Sequence, residues 1–359
     1  MNVFVGLSGG VDSATSAALL KEAGHEVTGV FIRIYRPEFV ECTWKDDRLD
    51  AMRVCAALNI PFREIDLSSE YKKSVIDGMI ADYAAGITPN PDVLCNRAIK
   101  FGAFLTWARK EGADKIATGH YARIEEKVAV PTRFHLVGTS YRLLRGKDSN
   151  KDQSYFLFRL TQGDLAHSLF PIGRLTKRKV RDLAANFDLP VAHKHDSQGL
   201  CFIGDVSIQD FLSRYISVET GNVLDMNASV IGAHQGAALV TIGQRHGFEI
   251  TRGDASIPHY AVATNVRTNE VIVSPNKSDA CVSEVKLRDV SWVDRAPECR
   301  THLEVQTRYR EKPIIATITR EQNEYRAHFS EPHIAPPGQS LVMYDGEVCI
   351  GGGIIAKTG

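Results

Sequence analysis

The stretch GLSGGVDS, residues 6–13, decides the fold of this chain. It follows the apolar run VFV at 3–5 and precedes an alanine-rich helical pattern, so the sequence predicts a strand, a glycine turn and a helix in succession. Gly9 and Gly10 permit a tight turn with positive φ, which lets successive backbone N–H groups converge on one point. The first turn of the helix adds donors and the positive end of its dipole. The ligand expected at such a turn is a phosphate or pyrophosphate.

The motif is too specific for a chance match. Five fixed residues at roughly 6–7% usage each give about one match in a million windows. The plainer alternative is an ordinary strand-to-helix turn with capping serines. The stretch lacks the Gly-Lys-Ser/Thr ending of a Walker loop and the Gly-x-Gly-x-x-Gly spacing of a dinucleotide turn. It resembles the pyrophosphatase loop of ATP enzymes that release AMP and pyrophosphate.

Length, charge and cysteine content bound the class of protein. The 359 residues suffice for two or three domains. Lys plus Arg and Asp plus Glu both total 43, so any contact with nucleic acid has to use a local patch. The seven cysteines are widely spaced without a Cys-x-x-Cys pair, which argues against a disulfide framework and against a structural zinc site. With no apolar run long enough for a membrane span and no signal peptide pattern, we expect a cytoplasmic protein.

The first half of the chain alternates short apolar strands with amphipathic helices, which is typical of a parallel sheet covered on both faces. Strands are predicted at 3–7, 27–34, 62–66 and 115–118, and helices at 13–23, 43–58, 69–83 and 96–111. Ligands of such sheets bind at the carboxyl ends of the strands, where the glycine turn lies. Next come a predicted hairpin with a long tip at 121–145 and helical sequence at 152–187.

From about residue 218 the pattern changes to β-structure with frequent Gly and Pro. Strands are predicted at 237–242, 259–266, 301–308 and 314–319. The changes in pattern predict an α/β nucleotide-binding domain at 1–205, a small central mostly-β domain at 206–277 and a C-terminal β-barrel at 278–359.

Two cysteines lie in predicted loops of the α/β half. Cys95 ends TPNPDVLC (88–95), whose prolines stiffen the loop, and we expect Asn96 to cap the following helix and so stabilise a thiolate at its start. Cys201 follows the polar loop HDSQGL (195–200). Each could equally be a buried core thiol. Together they suggest one cysteine that carries sulfur and another that resolves the product as a disulfide.

Further polar residues follow the fourth predicted strand. Gly119 allows a ligand to approach the backbone closely, and His120 either contacts substrate or has a structural role. Lys151 and Gln153 could touch a polyanion, although Asp152 could simply cap a helix in the same stretch.

Basic residues cluster in two places. The stretch 174–181 is typical of a solvated helix face. The sequence RYR at 308–310 pairs cations with an aromatic ring, as surfaces that hold RNA do, or forms ordinary cross-strand pairs.

Together these segments resemble the tRNA-specific 2-thiouridylase family, also called tRNA-uridine 2-sulfurtransferases. The similar stretches run almost from end to end in the family order: GLSGGVDS (6–13), TPNPDVLCN (88–96), IKFGAFL (99–105), ATGHYAR (117–123), NKDQSYFL (150–157), LFPIG (169–173), CFIG (201–204), TIGQRHG (241–247), TRYR (307–310) and PGQSLVMYDGEVCIGGGII (337–355). The hairpin between 123 and 143 looks longer than in the family, and Ile32 stands where the family usually has a methionine.

The resemblance implies a PP-loop domain of the adenine nucleotide alpha hydrolase type. It also implies ATP-dependent replacement of the 2-oxygen of the wobble uridine by sulfur, in tRNAs for glutamate, glutamine and lysine. The sulfur would come as a persulfide from a cysteine desulfurase or a sulfur-relay protein. A Cys95–Cys201 disulfide would form in each cycle and would be reset by a reductant.

The resemblance also implies roles for individual residues. ATP, with Mg²⁺ on its pyrophosphate, would be bound by Gly6, Leu7, Ser8, Gly9, Gly10, Val11, Asp12, Ser13, Ile32 and Gly119. The target base would meet Asn90, Pro91 and Asp92, with Asp92 as a proton-transfer group. Cys95 would be the nucleophile and Cys201 the persulfide carrier. The other residues implied to contact tRNA are His120, Lys151, Asp152, Gln153, Arg308, Tyr309 and Gln339.

Two other functions fit parts of the pattern. A small-molecule adenylating ligase, of the amidating or argininosuccinate-forming kind, would share the loop but would need neither persulfide cysteine nor RNA surface. An RNA-binding module with a vestigial nucleotide loop would have no reason to retain intact Ser8, Asp12 and Ser13.

Overall fold

The computed structural model describes residues 1–39, 44–128, 139–195, 206–252, 256–297, 301–322 and 324–357. Its N-terminal strands are β1 (Asn2–Leu7), β2 (Glu26–Arg33), β3 (Phe62–Asp66), β4 (Lys115–Ala117), β5 (Ala122–Val128), β6 (Thr139–Arg145) and β7 (Ser168–Leu169). A parallel sheet has the order β3-β2-β1-β4-β7. The predicted parallel sheet and the strands β1 to β4 are therefore confirmed.

Helices cover this sheet. They are α1 (Val11–Glu22), α2 (Trp44–Ala57), α3 (Ser68–Tyr71), α4 (Asp77–Ala84), α5 (Pro91–Cys95), α6 (Leu105–Lys110), α7 (Gln162–Ala166) and α8 (Lys177–Asn186), with α9 (Ile208–Leu212) following. Wider π-type turns at Lys72–Ile76 and Asn96–Phe104 join α3 to α4 and α5 to α6. The predicted helices at 13–23, 43–58 and 69–83 are confirmed, whereas the last one begins earlier than predicted, at Pro91.

The residues of β1 alternate between two apolar cores, because a central parallel strand is covered on both faces. Val3 and Val5 pack among side chains of α1, α2 and α8. Phe4 faces the other way, into a core that includes Cys95 and Phe104. The helical stretch that carries Cys95 therefore packs against the sheet, and the glycine loop follows β1 directly.

The segment 152–187 is less helical than the sequence predicts. It contains a 3₁₀ turn at Ser154–Leu157, α7, the strand β7 and then α8. The two residues of β7 pair with Ile116 and Ala117 of β4. A two-residue edge strand is too short to produce an alternating pattern, so periodicity could not find it.

The predicted hairpin is confirmed as β5 and β6, which pair from Ala122↔Arg145 to Val128↔Thr139. Its tip, residues 129–138, lies outside the described residues. The hairpin extends a sheet of the C-terminal half, because Leu143 and Leu144 pair with Cys349 and Val348. The N-terminal half is thus tied to the C-terminal half by backbone hydrogen bonds.

The central region is a mixed sheet. Its strands are β8 (Gly221–Leu224), β9 (Val230–His234), β10 (Phe248–Ile250), β11 (Tyr260–Asn265) and β12 (Glu270–Ser274), in the order β10-β9-β8-β12-β11. The strand predicted at 237–242 is wrong, since a 3₁₀ turn occupies Ala237–Leu239. Gly236, at φ 139°, turns the chain away from the sheet, and the N–H of Ala237 bonds to Oδ1 of Asn269 instead of to a strand.

The C-terminal region is a β-barrel, as predicted. Its strands are β13 (Val282–Trp292), β14 (Thr301–Gln306), β15 (Ile314–Glu321), β16 (Glu324–His333), β17 (Ser340–Asp345) and β18 (Val348–Ile355). Their order β13-β16-β15-β14-β17-β18 closes through pairing of β13 with β18. Val305, Leu341 and Met343 fill the interior. Across the described parts of all three regions, no helix has the length and apolar character needed to cross a membrane.

Candidate active site

The glycine loop forms a compact turn at the carboxyl end of β1. Gly9 has φ 74°, and a Cβ there would lie 2.5 Å from the carbonyl oxygen of Asp47, so only glycine fits. The hydroxyl of Ser13 accepts from the Ser8 N–H at 3.2 Å and donates to the Gly10 carbonyl at 3.1 Å. Gly10 is the N-cap of α1, and glycine has no side chain that could cap the backbone N–H groups of the first turn of this helix. The loop can therefore present backbone N–H groups to an anion.

Asp12 is the anionic group of this loop. Both of its carboxylate oxygens accept from Nζ of Lys177, at 2.8 and 2.9 Å, and Oδ1 also accepts from the Tyr121 hydroxyl at 2.7 Å. The Lys177 side chain is only 13% exposed and that of Asp12 is 32% exposed. The loop thus holds an ion pair at the start of α1.

Lys177 is a residue that the sequence reasoning missed. The basic stretch 174–181 was expected to be a solvated face, and this is wrong for Lys177 and for Arg181, which donates to the carbonyls of Ala192 and Lys194. A signal was present: Lys177 lies in the first turn of α8, where the helix dipole disfavours a cation unless an anion compensates it.

Gly119 brings the end of β4 against the loop. A Cβ at this position would lie 2.7 Å from the backbone nitrogen of Ser13 and 2.8 Å from the carbonyl carbon of Asp12. Glycine is therefore required for this close approach. On the other side, the end of the Ile32 side chain lies 3.6 Å from where a Cβ of Gly6 would be, so β1 and β2 supply an apolar wall. These predicted nucleotide-binding residues are brought together.

Cys95 lies inside a helix rather than at its start. Asn90 is the N-cap of α5, accepting from the N–H of Val93 at 3.4 Å, and Pro91 occupies the first turn. The expectation that Asn96 caps the helix is wrong: its backbone is helical, and its Nδ2 donates to the Phe156 carbonyl at 3.3 Å. Pro91 starts the helix early because its fixed φ is already helical. Cys95 is buried, with 8% exposure.

Asp92 and His120 flank Lys100, which lies on the same helical stretch as Cys95. Burial raises the pKa of Asp92, and the charge of Lys100 opposes that shift. Burial, followed by the charge of Lys100, holds the pKa of His120 well below its usual range, so His120 is neutral. Nδ1 of His120 lies 2.7 Å from the Thr118 hydroxyl, and Nε2 lies 3.5 Å from Nζ of Lys100.

The loop before α5 is held by the other two regions of the chain. Nε2 of Gln339, from the barrel, donates to the carbonyls of Thr88 and Pro89 at 2.9 and 3.3 Å. The N–H of Thr88 donates to the Pro337 carbonyl at 3.2 Å, and its hydroxyl lies 3.0 Å from that of Thr241 in the central region. The position of Asn90 and Asp92 thus depends on all three regions.

Of the other predicted tRNA contacts, two brace the site from within. Asp152 accepts from the backbone of Gly146 and Ser154, at 2.8 and 3.1 Å. Oε1 of Gln153 accepts from the N–H of Tyr121 at 3.0 Å, which supports the tyrosine that bonds to Asp12.

Of the remaining predicted contacts, Arg308 joins the barrel to the central region, whereas Tyr309 and Lys151 lie on the side of the N-terminal region. Nη2 of Arg308 donates to the Ile242 carbonyl at 2.9 Å. The ring of Tyr309 packs on Phe156 with centroids 4.5 Å apart. Lys151 is half-buried in the loop that precedes the 3₁₀ turn. Cys201, the second predicted catalytic cysteine, lies outside the described residues.

Cys55 and Cys349 lie in the apolar cores, as Cys95 does. Burial raises the pKa of the Cys55 thiol to about 11, and it raises the pKa of Cys349 further. Both stay protonated at neutral pH, so neither is a nucleophile. Among the described residues, no group of three or more His, Cys, Asp and Glu could hold a metal ion.

Comparison with known proteins identifies the family of this chain. Three family models match in succession: the tRNA methyl transferase HUP domain at 1–205, the tRNA methyl transferase PRC-barrel domain at 209–275 and the aminomethyltransferase beta-barrel domain at 282–355. The tRNA-specific 2-thiouridylase MnmA of Xanthomonas campestris is 43% identical over 362 residues, covering 99% of this chain and 93% of the relative. The same enzyme of Stenotrophomonas maltophilia is 43% identical over 365 residues, with the same coverage.

A solved 4-thiouridine synthetase in complex with RNA and ATP overlaps only in part, with 16% identity, a TM-score of 0.34, 59% of this chain and 50% of its own. The fold and the family matches define a sulfurtransferase that acts on tRNA. With 43% identity over nearly its whole length, the chain belongs to the tRNA-specific 2-thiouridylase family.

Proposed function

We propose that this protein adenylates the 2-oxygen of the wobble uridine of tRNA with ATP and then replaces it with sulfur from a cysteine persulfide. One observation carries the proposal. Two consecutive residues connect the glycine loop to the helical stretch that carries Cys95. Gly119 lies against the start of α1, and His120 lies beside Lys100 of that helical stretch. A phosphate-activating site and a candidate sulfur nucleophile are thereby adjacent, as an adenylation followed by sulfur transfer requires.

In the first step, the glycine loop and the start of α1 hold the pyrophosphate of ATP, while Ile32 and Gly6 form the apolar wall on the nucleotide side. Asp12 offers the oxygen ligands that Mg²⁺ prefers, and the ion would neutralise the negative charge on the leaving pyrophosphate. Lys177, which neutralises Asp12 in the structure, would then be within reach of the same phosphates.

In the second step, the terminal sulfur of a Cys201 persulfide attacks C2 of the adenylated uridine, and AMP leaves with the former 2-oxygen. Cys95 then attacks the Cys201 sulfur. The bond between the two sulfurs of the persulfide breaks, and 2-thiouridine is released as a disulfide forms between Cys95 and Cys201. A reductant restores both thiols. Asp92, whose pKa is raised by burial, suits proton transfer at N3 of the base.

The target base has to leave the anticodon stack to reach this site. We propose that Asn90, Pro91 and Asp92 meet it, where α5 follows the loop that Gln339 holds. The further tRNA contacts we propose are His120, Lys151, Asp152, Gln153, Arg308 and Tyr309. The tRNAs would be those for glutamate, glutamine and lysine, and the sulfur donor a cysteine desulfurase or a relay protein.

Mass spectrometry of tRNA nucleosides tests the function. Cells that lack this protein should lose 2-thiouridine at the wobble position, the intact gene should restore it, and the Cys95→Ser variant should not. A small-molecule ligase would instead release pyrophosphate without tRNA. Pyrophosphate release that is independent of tRNA, together with unchanged 2-thiouridine in the deletion strain, would contradict the proposal.

A further inference from the structure

We propose that Lys100 contacts the α-phosphate of ATP, the group transferred to the uridine, and stays with it until AMP leaves. This inference rests on the proposed adenylation, and it adds a catalytic residue that neither the loop motif nor the cysteines indicate. The glycine loop would hold the leaving pyrophosphate, and Lys100 the phosphoryl group that remains.

The position of Lys100 between the two halves of the site supports this role. Gly119 lies against the backbone of Ser13 at the start of α1, and the next residue, His120, has its Nε2 3.5 Å from Nζ of Lys100. In the other direction, the charge of Lys100 acts on Asp92, in the first turn of α5, which we propose to meet the base. The ammonium group therefore lies between the glycine loop and the start of α5, where the α-phosphorus would have to meet the uridine oxygen.

Within the described part of the chain, Lys100 has no close counter-ion, although its charge acts on Asp92. Lys100 is half-buried and, among the residues that the structure describes, forms no ion pair with a carboxylate. Its contact with a neutral histidine at 3.5 Å is long for a hydrogen bond, and an ammonium group has three donors. A partly buried cation without a close counter-ion is costly unless an anion binds beside it. Lys177, by contrast, already has Asp12.

The chemistry of the step fits a cation that moves no proton. The uridine O2 attacks the α-phosphorus, and the N3 proton passes to the Asp92 carboxylate. The bond from O2 to phosphorus forms, and the bond from phosphorus to the bridging oxygen breaks, with its electron pair leaving on pyrophosphate. The non-bridging oxygens of the α-phosphoryl group remain negative throughout, so a fixed ammonium group stabilises the transition state and the adenylate.

The test uses the full-length protein and tRNA, and it compares Lys100→Met, Lys100→Arg and the control Lys110→Met. Lys110 is an exposed lysine at the end of the same helical stretch. Single-turnover release of pyrophosphate should fall roughly 100-fold in Lys100→Met. Lys100→Arg should recover part of the rate, and Lys110→Met should match the wild type. Affinity for tRNA should change less than about threefold in all three.

A second readout reports on the contact itself. With the two diastereomers of ATP that carry sulfur at the α-phosphorus, the wild type should prefer one, and Lys100→Met should lose that preference. A variant that releases pyrophosphate at the wild-type rate, or keeps the preference, overturns the inference. A shifted pH profile with the preference intact means that Lys100 acts only through Asp92, which also overturns it. If the wild type itself releases no pyrophosphate with tRNA, the proposed function fails instead.

Discussion

The glycine loop and the loop before Cys95 are built in opposite ways. In the glycine loop, hydrogen bonds among Ser8, Gly10 and Ser13 close the turn within six residues. The loop at 88–90 is held by Gln339 and Thr241, which lie about 250 and 150 positions away in the chain. The first can form wherever its strand and helix pack. The second exists only when all three regions have assembled, so a displacement of the barrel or of the central region would move the loop at 88–90.

Substitution of the two proposed catalytic cysteines should have the largest effect on thiolation. Cys95→Ser and Cys201→Ser should each abolish thiolation, because neither the nucleophile nor the sulfur carrier has a substitute. Cys55→Ser and Cys349→Ser should retain it, since both of those thiols are buried and protonated. The measurement is the 2-thiouridine content of tRNA in complemented cells. Full activity of either Cys95→Ser or Cys201→Ser would end the persulfide mechanism.

A substitution in the glycine loop should have the next largest effect. Asp12→Ala should lower tRNA-dependent pyrophosphate release by about 100-fold or more, because it removes the anchor of Lys177 and the proposed ligand of Mg²⁺. Cys201→Ser should still release pyrophosphate, since activation precedes sulfur attack. Rapid-quench assays with labelled ATP measure both variants. Normal release by Asp12→Ala would show that adenylation occurs elsewhere.

A substitution that displaces the loop at 88–90 should have a different effect from one in the glycine loop. Gln339→Glu replaces the amide donor by a carboxylate that faces the carbonyls of Thr88 and Pro89. Displacement of the loop at 88–90 should slow thiolation by roughly tenfold to a hundredfold. ATP affinity, measured by calorimetry without tRNA, should stay unchanged because the glycine loop is independent of the barrel. Equal losses of ATP affinity and of turnover would mean that the two loops are not separate.

The smallest effect concerns the pH dependence of stability. Burial lowers the pKa of His120 in the folded protein, so below the ordinary value of 6.5 the unfolded chain binds the proton more readily. The stabilising contribution is complete above that value and is lost as the pH falls toward the lowered pKa, by up to about 1.4 kcal/mol per pH unit. Denaturant unfolding at several pH values should show a shallower acid slope for His120→Gln. An identical slope for His120→Gln and the wild type would show that His120 does not cause the loss of stability at acid pH.

Patterns with strong local signatures were predicted well. The strands β1 to β4, the helices α1 and α2, the hairpin and the barrel follow from apolar periodicity and turn residues. The start of α5 was misplaced because Pro91 and Asn90 outcompete Asn96 as the helix start. The role of Lys177 was missed because a basic helix face looks the same in sequence whether it meets water or a carboxylate.

The sequence by itself determined the glycine loop between β1 and α1, the alternation of strands and helices, and the family to which the chain belongs. These follow from residues close together in the chain, whose spacing dictates turns, caps and buried faces. Only the tertiary structure decided that Lys177 neutralises Asp12, that Lys100 lies beside His120, and that Gln339 holds the loop of Asn90. Those contacts join residues from 20 to about 250 positions apart, and their partners are selected by packing, which no local pattern encodes.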